Sequence, residues 1–107
     1  MEIDFGKFRR ANSRVYSGRA EGYKVRDNLK LNELDLKSDM IKIKVPKDTL
    51  SLNTSFFLGV FGESVRTLGD NQFRNKYEFD CPSIVKRQID DGITRALKTS
   101  NPLEKNE

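Results

Sequence analysis

Histidine and tryptophan are absent from these 107 residues, and cysteine occurs once. Without imidazole the chain lacks the commonest general base and the commonest transition-metal ligand. With Cys81 as its one thiol, it can build neither a Ser–His nor a Cys–His nucleophile. A zinc site would rest almost wholly on carboxylates. A lone cysteine also rules out an intramolecular disulfide, a usage that suits a reducing cytoplasm. No apolar run approaches the roughly 20 residues needed to span a bilayer. The opening decapeptide MEIDFGKFRR carries acids early and has no apolar stretch, so neither a signal peptide nor membrane association is expected. Together these absences favour a cytoplasmic, non-enzymatic protein with no cofactor and no metal.

What is present is aromatic and charged. Hydrophobic residues make up 36% and charged residues 34%, with seven Phe and three Tyr available to bury. That composition supports one folded domain, expected over residues 1–99, followed by a polar tail at 100–107. The formal charge of +4 is uneven: residues 1–30 hold eight basic and four acidic side chains, and the remainder is neutral. A basic N-terminal third can attract phosphate groups or an acidic protein surface.

The stretch at residues 50–68, LSLNTSFFLGVFGESVRTL, organises the rest. Phe56, Phe57, Val60, Phe61, Val65 and Leu68 recur at helical spacing and form one apolar stripe. Asn53, Thr54 and Ser55 precede them, all residue types that accept from free helical N–H groups. The opposite side carries Ser55, Gly59, Gly62 and Arg66, mostly small, and so can admit a close neighbour. That neighbour is either a strand of the chain's own sheet or a second protein.

Elsewhere the patterns are shorter. A strand is expected near residues 2–8, a turn at 10–13, and a hairpin return at 14–16. Glycines at 18 and 22 bracket a loop holding Arg19, and a short helix follows from Tyr23. Leu29, Leu31, Leu34 and Leu36 mix two periods, and residues 34–37 yield no assignment. Ile41, Ile43 and Val45 alternate with Lys42 and Lys44, predicting a strand with one buried and one wet face. Gly69 closes the central helix, a single turn with Phe73 inward follows, and 77–81 alternates as another strand. Pro82 opens the last helix, whose stripe is Ile84, Val85, Ile89, Ile93, Ala96 and Leu97. Gly92 lies on that stripe and costs about 1 kcal/mol relative to Ala unless something packs closely there. Asp90 and Asp91 are adjacent and diverge, which reads as a solvated face. Cys81 precedes a helix N-terminus, where a thiol's pKa can fall, although a small packing residue is the plainer reading. The order predicts an α/β fold: a small four- to five-stranded mixed sheet with helices mainly on one face, leaving Lys42 and Lys44 wet.

On these residues the chain resembles a known fold. The segment Asn53-Thr54-Ser55-Phe56-Phe57-Leu58-Gly59 is similar to the loop-to-helix signature of STAS domains, the sulfate-transporter and anti-sigma-factor-antagonist fold. More closely, residues 3–98 resemble a STAS-like family of unassigned function that is often encoded with, or fused to, histidine-kinase-like ATPase domains. Arg14, Tyr16 and Gly18, then Gly22 and Arg26, then Thr54-Ser55-Phe56 carry that resemblance. It implies a bacterial partner-switching regulator with an ATPase or kinase-like protein partner. In the antagonists Ser55 matches the phosphorylated serine and Thr54 its hydroxyl neighbour. Asn53 stands where those proteins have Asp, and Phe56 where they have Gly. Both departures fall on the surface the partner reads.

The expected function is therefore a non-enzymatic regulatory interaction module working through the corner formed by Asn53, Thr54, Ser55, Gly59, Gly62 and Arg66. The alternative is a nucleic-acid or nucleotide-binding module using Arg14, Arg19, Lys24 and Arg26, interleaved with Tyr16 and Tyr23. A further alternative is a phage or mobile-element inhibitor of a host protein, which composition does not separate from the first.

Overall fold

The central strand is built on the Ile-Lys-Ile-Lys alternation. In the computed structural model, which describes residues 1–11 and 13–98, this segment forms β3 (Ile41–Lys44) between two parallel neighbours. One is β1 (Glu2–Asp4) and the other β5 (Tyr77–Asp80). Ile41 and Ile43 are buried, Lys44 is exposed and Lys42 half-buried, so the lysine face is wet as the alternation requires. A second, two-stranded parallel sheet joins β2 (Val15–Tyr16) to β4 (Ser51–Leu52).

These pairings correct the expected hairpin and the expected single mixed sheet. After Asp4 the chain enters a short 3-10 turn (Phe5–Phe8) instead of extending, with the Asp4 carboxylate accepting from Gly6 N–H at 2.8 Å. Phe5 is thereby driven into the core. The chain then crosses to a different sheet, so β1 and β2 never meet. Each sheet is all-parallel because helices, not tight turns, connect its strands.

The helices are α1 (Arg19–Leu29), α2 (Leu31–Leu34), α3 (Thr54–Leu68), α4 (Asp70–Lys76) and α5 (Ser83–Lys98). Helix α3 matches its apolar spacing: Phe56, Phe57, Val60, Phe61 and Val65 are all buried. The Phe61 ring centroid stands 5.4 Å from that of Tyr77 and 5.3 Å from that of Phe79, which seats α3 on the three-stranded sheet. Such a ring, fully buried, contributes about 2–3 kcal/mol from its apolar area. Gly69 ends α3 with φ +82°, its N–H donating to Val65 O at 2.7 Å. Phe73 on α4 is buried, as expected.

Helix α1 begins four residues before the expected position, so Arg19 lies in its first turn rather than in a loop. Of the two glycines read as loop punctuation, Gly18 does precede the helix, at φ +92°, whereas Gly22 serves packing: a Cβ on it would lie 2.9 Å from Gly59 Cα. Helix α2, entered through Lys30 in the left-handed conformation (φ 55°), ends at Leu34, and the rest of the unassigned region 34–37 is turn and bend. On α5 the buried stripe is narrower than predicted. Val85, Ile89, Ile93 and Ala96 are inside, whereas Ile84 and Leu97 are exposed. Gly92 faces the Phe57 ring, where an added Cβ would come 2.3 Å from Cδ2. That close packing is the condition under which a glycine there is favoured. The tail expected at 100–107 and the turn residue Asn12 lie outside the described residues.

Candidate functional site

Strands β2 and β4 lie side by side and point the same way, so each delivers the chain into a helix at the same end of the molecule. Asn53 N–H donates to Tyr16 O at 2.8 Å, tying the two exits together. Helix α1 starts just beyond β2, and α3 just beyond β4. Ligands and partners commonly meet α/β proteins outside the carboxyl ends of parallel strands. Here that place holds Ser17, Gly18 and Arg19 from one chain segment, with Asn53, Thr54 and Ser55 from the other.

Asn53 is the N-cap of α3, its Oδ1 accepting from Ser55 N–H at 2.9 Å. Ser55 is exposed and Thr54 half-buried. The turn is anchored by Gln88 of α5, which accepts from Leu52 N–H at 2.7 Å and donates to Ser51 Oγ at 2.9 Å. Gln88 was not foreseen, since on an outward helix position a glutamine gives no sign of a distant partner. Beside the corner a hollow of about 140 Å³ is lined in part by Tyr16, Ser17, Val25 and Phe56.

The other half of the predicted surface lies elsewhere. Gly59 is buried, and a Cβ there would meet Arg19 O at 2.4 Å and Gly22 Cα at 2.9 Å. The close neighbour admitted by the thin side of α3 is thus α1 of the same chain. Gly62 is covered by the Arg66 guanidinium, whose nearest nitrogen is 3.3 Å from a Cβ placed there. Arg66 also pairs with Glu63 at 3.1 Å. Of the predicted surface, Asn53 and Ser55 are exposed and Thr54 and Arg66 half-buried, whereas Gly59 and Gly62 are buried.

The basic residues divide as well. Arg26 is buried at 7% exposure and donates to Val60 O and Ser64 Oγ, both at 2.8 Å, to Asn32 Oδ1 at 2.8 Å, and to Asp35 Oδ2 at 3.0 Å. It is an internal ion pair, not a contact for an anionic partner. Ser64 Oγ donates to Asp35 Oδ2 at 2.6 Å and the Tyr77 hydroxyl to Asp35 Oδ1 at 2.5 Å. Burial, then its bond to Asp35, pushes the Tyr77 phenol far above its ordinary value. Helical spacing carried one signal for this network, because Arg26 shares a face with Gly22, Val25 and Leu29.

Arg14 stands 3.8 Å from Asp48, which also pairs with Arg9 at 2.7 Å. The hydrogen bond from Arg9 holds the Asp48 carboxyl below its usual range. Lys24 stands 3.6 Å from Glu21, which also takes Arg10 at 3.0 Å. Arg19 is exposed on the first turn of α1 with no acidic partner among the described residues. Burial raises the Cys81 thiol, opposite to what an activated thiolate needs. Among the described residues no group of three or more His, Cys, Asp or Glu could hold a metal ion, and no helix is long and apolar enough to cross a membrane.

No family model, no curated protein and no solved structure matches this chain.

Proposed function

We infer that this chain is a non-enzymatic regulatory interaction module. It offers the adjoining first turns of α1 and α3 to a histidine-kinase-like ATPase, with Ser55 as the acceptor of a controlling phosphate. The observation that carries this reading is Ser55 itself. It is exposed on the first turn of α3, and its hydroxyl makes no hydrogen bond among the described residues. Its resemblance to the phosphorylated serine of STAS antagonists supplies the type of partner.

The physics of the switch follows from position. A phosphoserine adds about −1.5 to −2 charges. At a helix N-terminus those charges lie beside free N–H groups and along the favourable direction of the helix dipole. The fold therefore tolerates the modification, while a partner seated on the same turn meets the new charge directly. Regulation needs no change of shape. The nucleic-acid alternative draws less support, because Arg26 is internal and Arg14 and Lys24 already face carboxylates.

The docking footprint tests the reading. Adding a histidine-kinase-like ATPase from the same genome to isotope-labelled protein should perturb amides of residues 17–20 and 53–58. Perturbation confined to other surfaces, or none, would overturn it.

A further inference from the structure

The three-stranded sheet ends on β5, and its charges follow a rule across the strands. Glu2, Lys42 and Glu78 stand in one row, and Asp4, Lys44 and Asp80 in the next. The wet face thus reads acid, base, acid from β1 through β3 to β5. Opposite charges directly across neighbouring strands are favourable, and like charges are not.

The outer edge of β5 is open. Val45 N–H donates to Asp80 O at 2.9 Å. In a parallel ladder both backbone groups of a residue face the same neighbour, so Glu78 and Asp80 bond to β3 and Phe79 turns its N–H and C=O outward. Among the described residues no backbone group pairs with Phe79 on that side. Alongside, on the helix-bearing side, runs a groove of about 350 Å³ lined by Phe73, Phe79, Ile89 and Ile93, with Arg74 and Lys86.

We propose that the β5 edge takes an extended segment of another protein in which basic and apolar residues alternate. A strand added there places alternate side chains opposite Glu78 and Asp80, where the rows call for a base. The intervening ones stand opposite Phe79, whose half-buried ring is the apolar surface they meet beside the groove. The chain already shows that β5 accepts this pattern, since its inner side pairs with Ile-Lys-Ile-Lys of β3. A second copy does not fit. Two β5 edges set antiparallel about Phe79 bring Glu78 against Asp80, and the β1 edge is acidic too. This surface is distinct from the Ser55 turn, and the inference stands without that reading.

The test titrates isotope-labelled protein with a synthetic Met-Ile-Lys-Ile-Lys-Val peptide flanked by glycine and serine. The control is the same peptide with Glu for both Lys. The lysine peptide should perturb Phe79 and slow exchange of its amide. It should bind at least about tenfold more tightly than the glutamate peptide, and less tightly as salt rises. A Glu78→Gln, Asp80→Asn double variant should lose most of that preference, while the two peptides on the native protein decide the matter alone. Three results would overturn the proposal: no perturbation at Phe79, equal binding of both peptides, or concentration-dependent self-pairing at Phe79 without peptide. In the first case the acidic side chains simply guard an edge strand against association.

Discussion

Gly59→Leu should abolish cooperative folding, or lower stability by about 3 kcal/mol or more. The first added carbon meets backbone on three sides: Arg19 O at 2.4 Å, Gly22 Cα at 2.9 Å and Tyr23 N at 3.0 Å. Backbone in two helices cannot rotate away as a side chain can, so α1 and α3 must separate along their whole contact. Separation would also pull Arg26 from Val60 O and Ser64, to which it donates at 2.8 Å in each case. Gly62→Ala serves as the control. Its nearest neighbour is the far end of the flexible Arg66 side chain, 3.3 Å away, and the expected change is small. Urea denaturation of both variants, followed by circular dichroism, makes the comparison. Near-native stability for Gly59→Leu would show that the helix pair is not closed as described.

Asp35→Ala should cost about 3–5 kcal/mol, the range for removing one partner of a buried ion pair. Its carboxylate, 3% exposed, accepts from three groups at once: the guanidinium of Arg26, the hydroxyl of Ser64 and the hydroxyl of Tyr77. Truncation leaves a buried cation with only neutral acceptors, and two hydroxyls without their partner. Tyr77→Phe removes only one donor and should cost about 1–3 kcal/mol. The network joins residues of α1, α3 and β5 with the segment after α2, so its loss should lower cooperativity as well as the midpoint. Denaturant midpoints and slopes for both variants provide the check; equal, small effects would mean the carboxylate is solvated.

Both predictions rest on contacts that the sequence showed only by halves. The thin side of α3 was legible because Ser55, Gly59 and Gly62 recur about one turn apart. Its partner was not, because Gly22 beside Gly18 reads as loop punctuation and a sequence gives no sign that two distant glycines touch. Arg26 was visible as a basic residue in a basic third of the chain, yet composition does not say that a guanidinium is buried. That required Asp35, Ser64 and Tyr77 to converge from separate elements. Strand β3 was legible from its period of two, which fixes the wet and dry faces but neither the neighbour nor its direction. Strands β2 and β4, two residues each, are too short to show a period, so nothing in the sequence marks their parallel pairing. The start of α3 came through best. Asn53 caps α3 as its residue type suggests, and the hydroxyls of Thr54 and Ser55 sit in the first turn.

Whether Ser55 accepts a phosphate is read most directly by phosphosite mapping. Incubation of the protein with ATP and a histidine-kinase-like ATPase of the same genome, followed by mass spectrometry of the fragment spanning residues 53–66, should place a phosphate on Ser55. Ser55→Ala should remove that modification without loss of fold. A turn that stays unmodified while the ATPase binds, or a phosphate at another position with Ser55 untouched, would contradict the account.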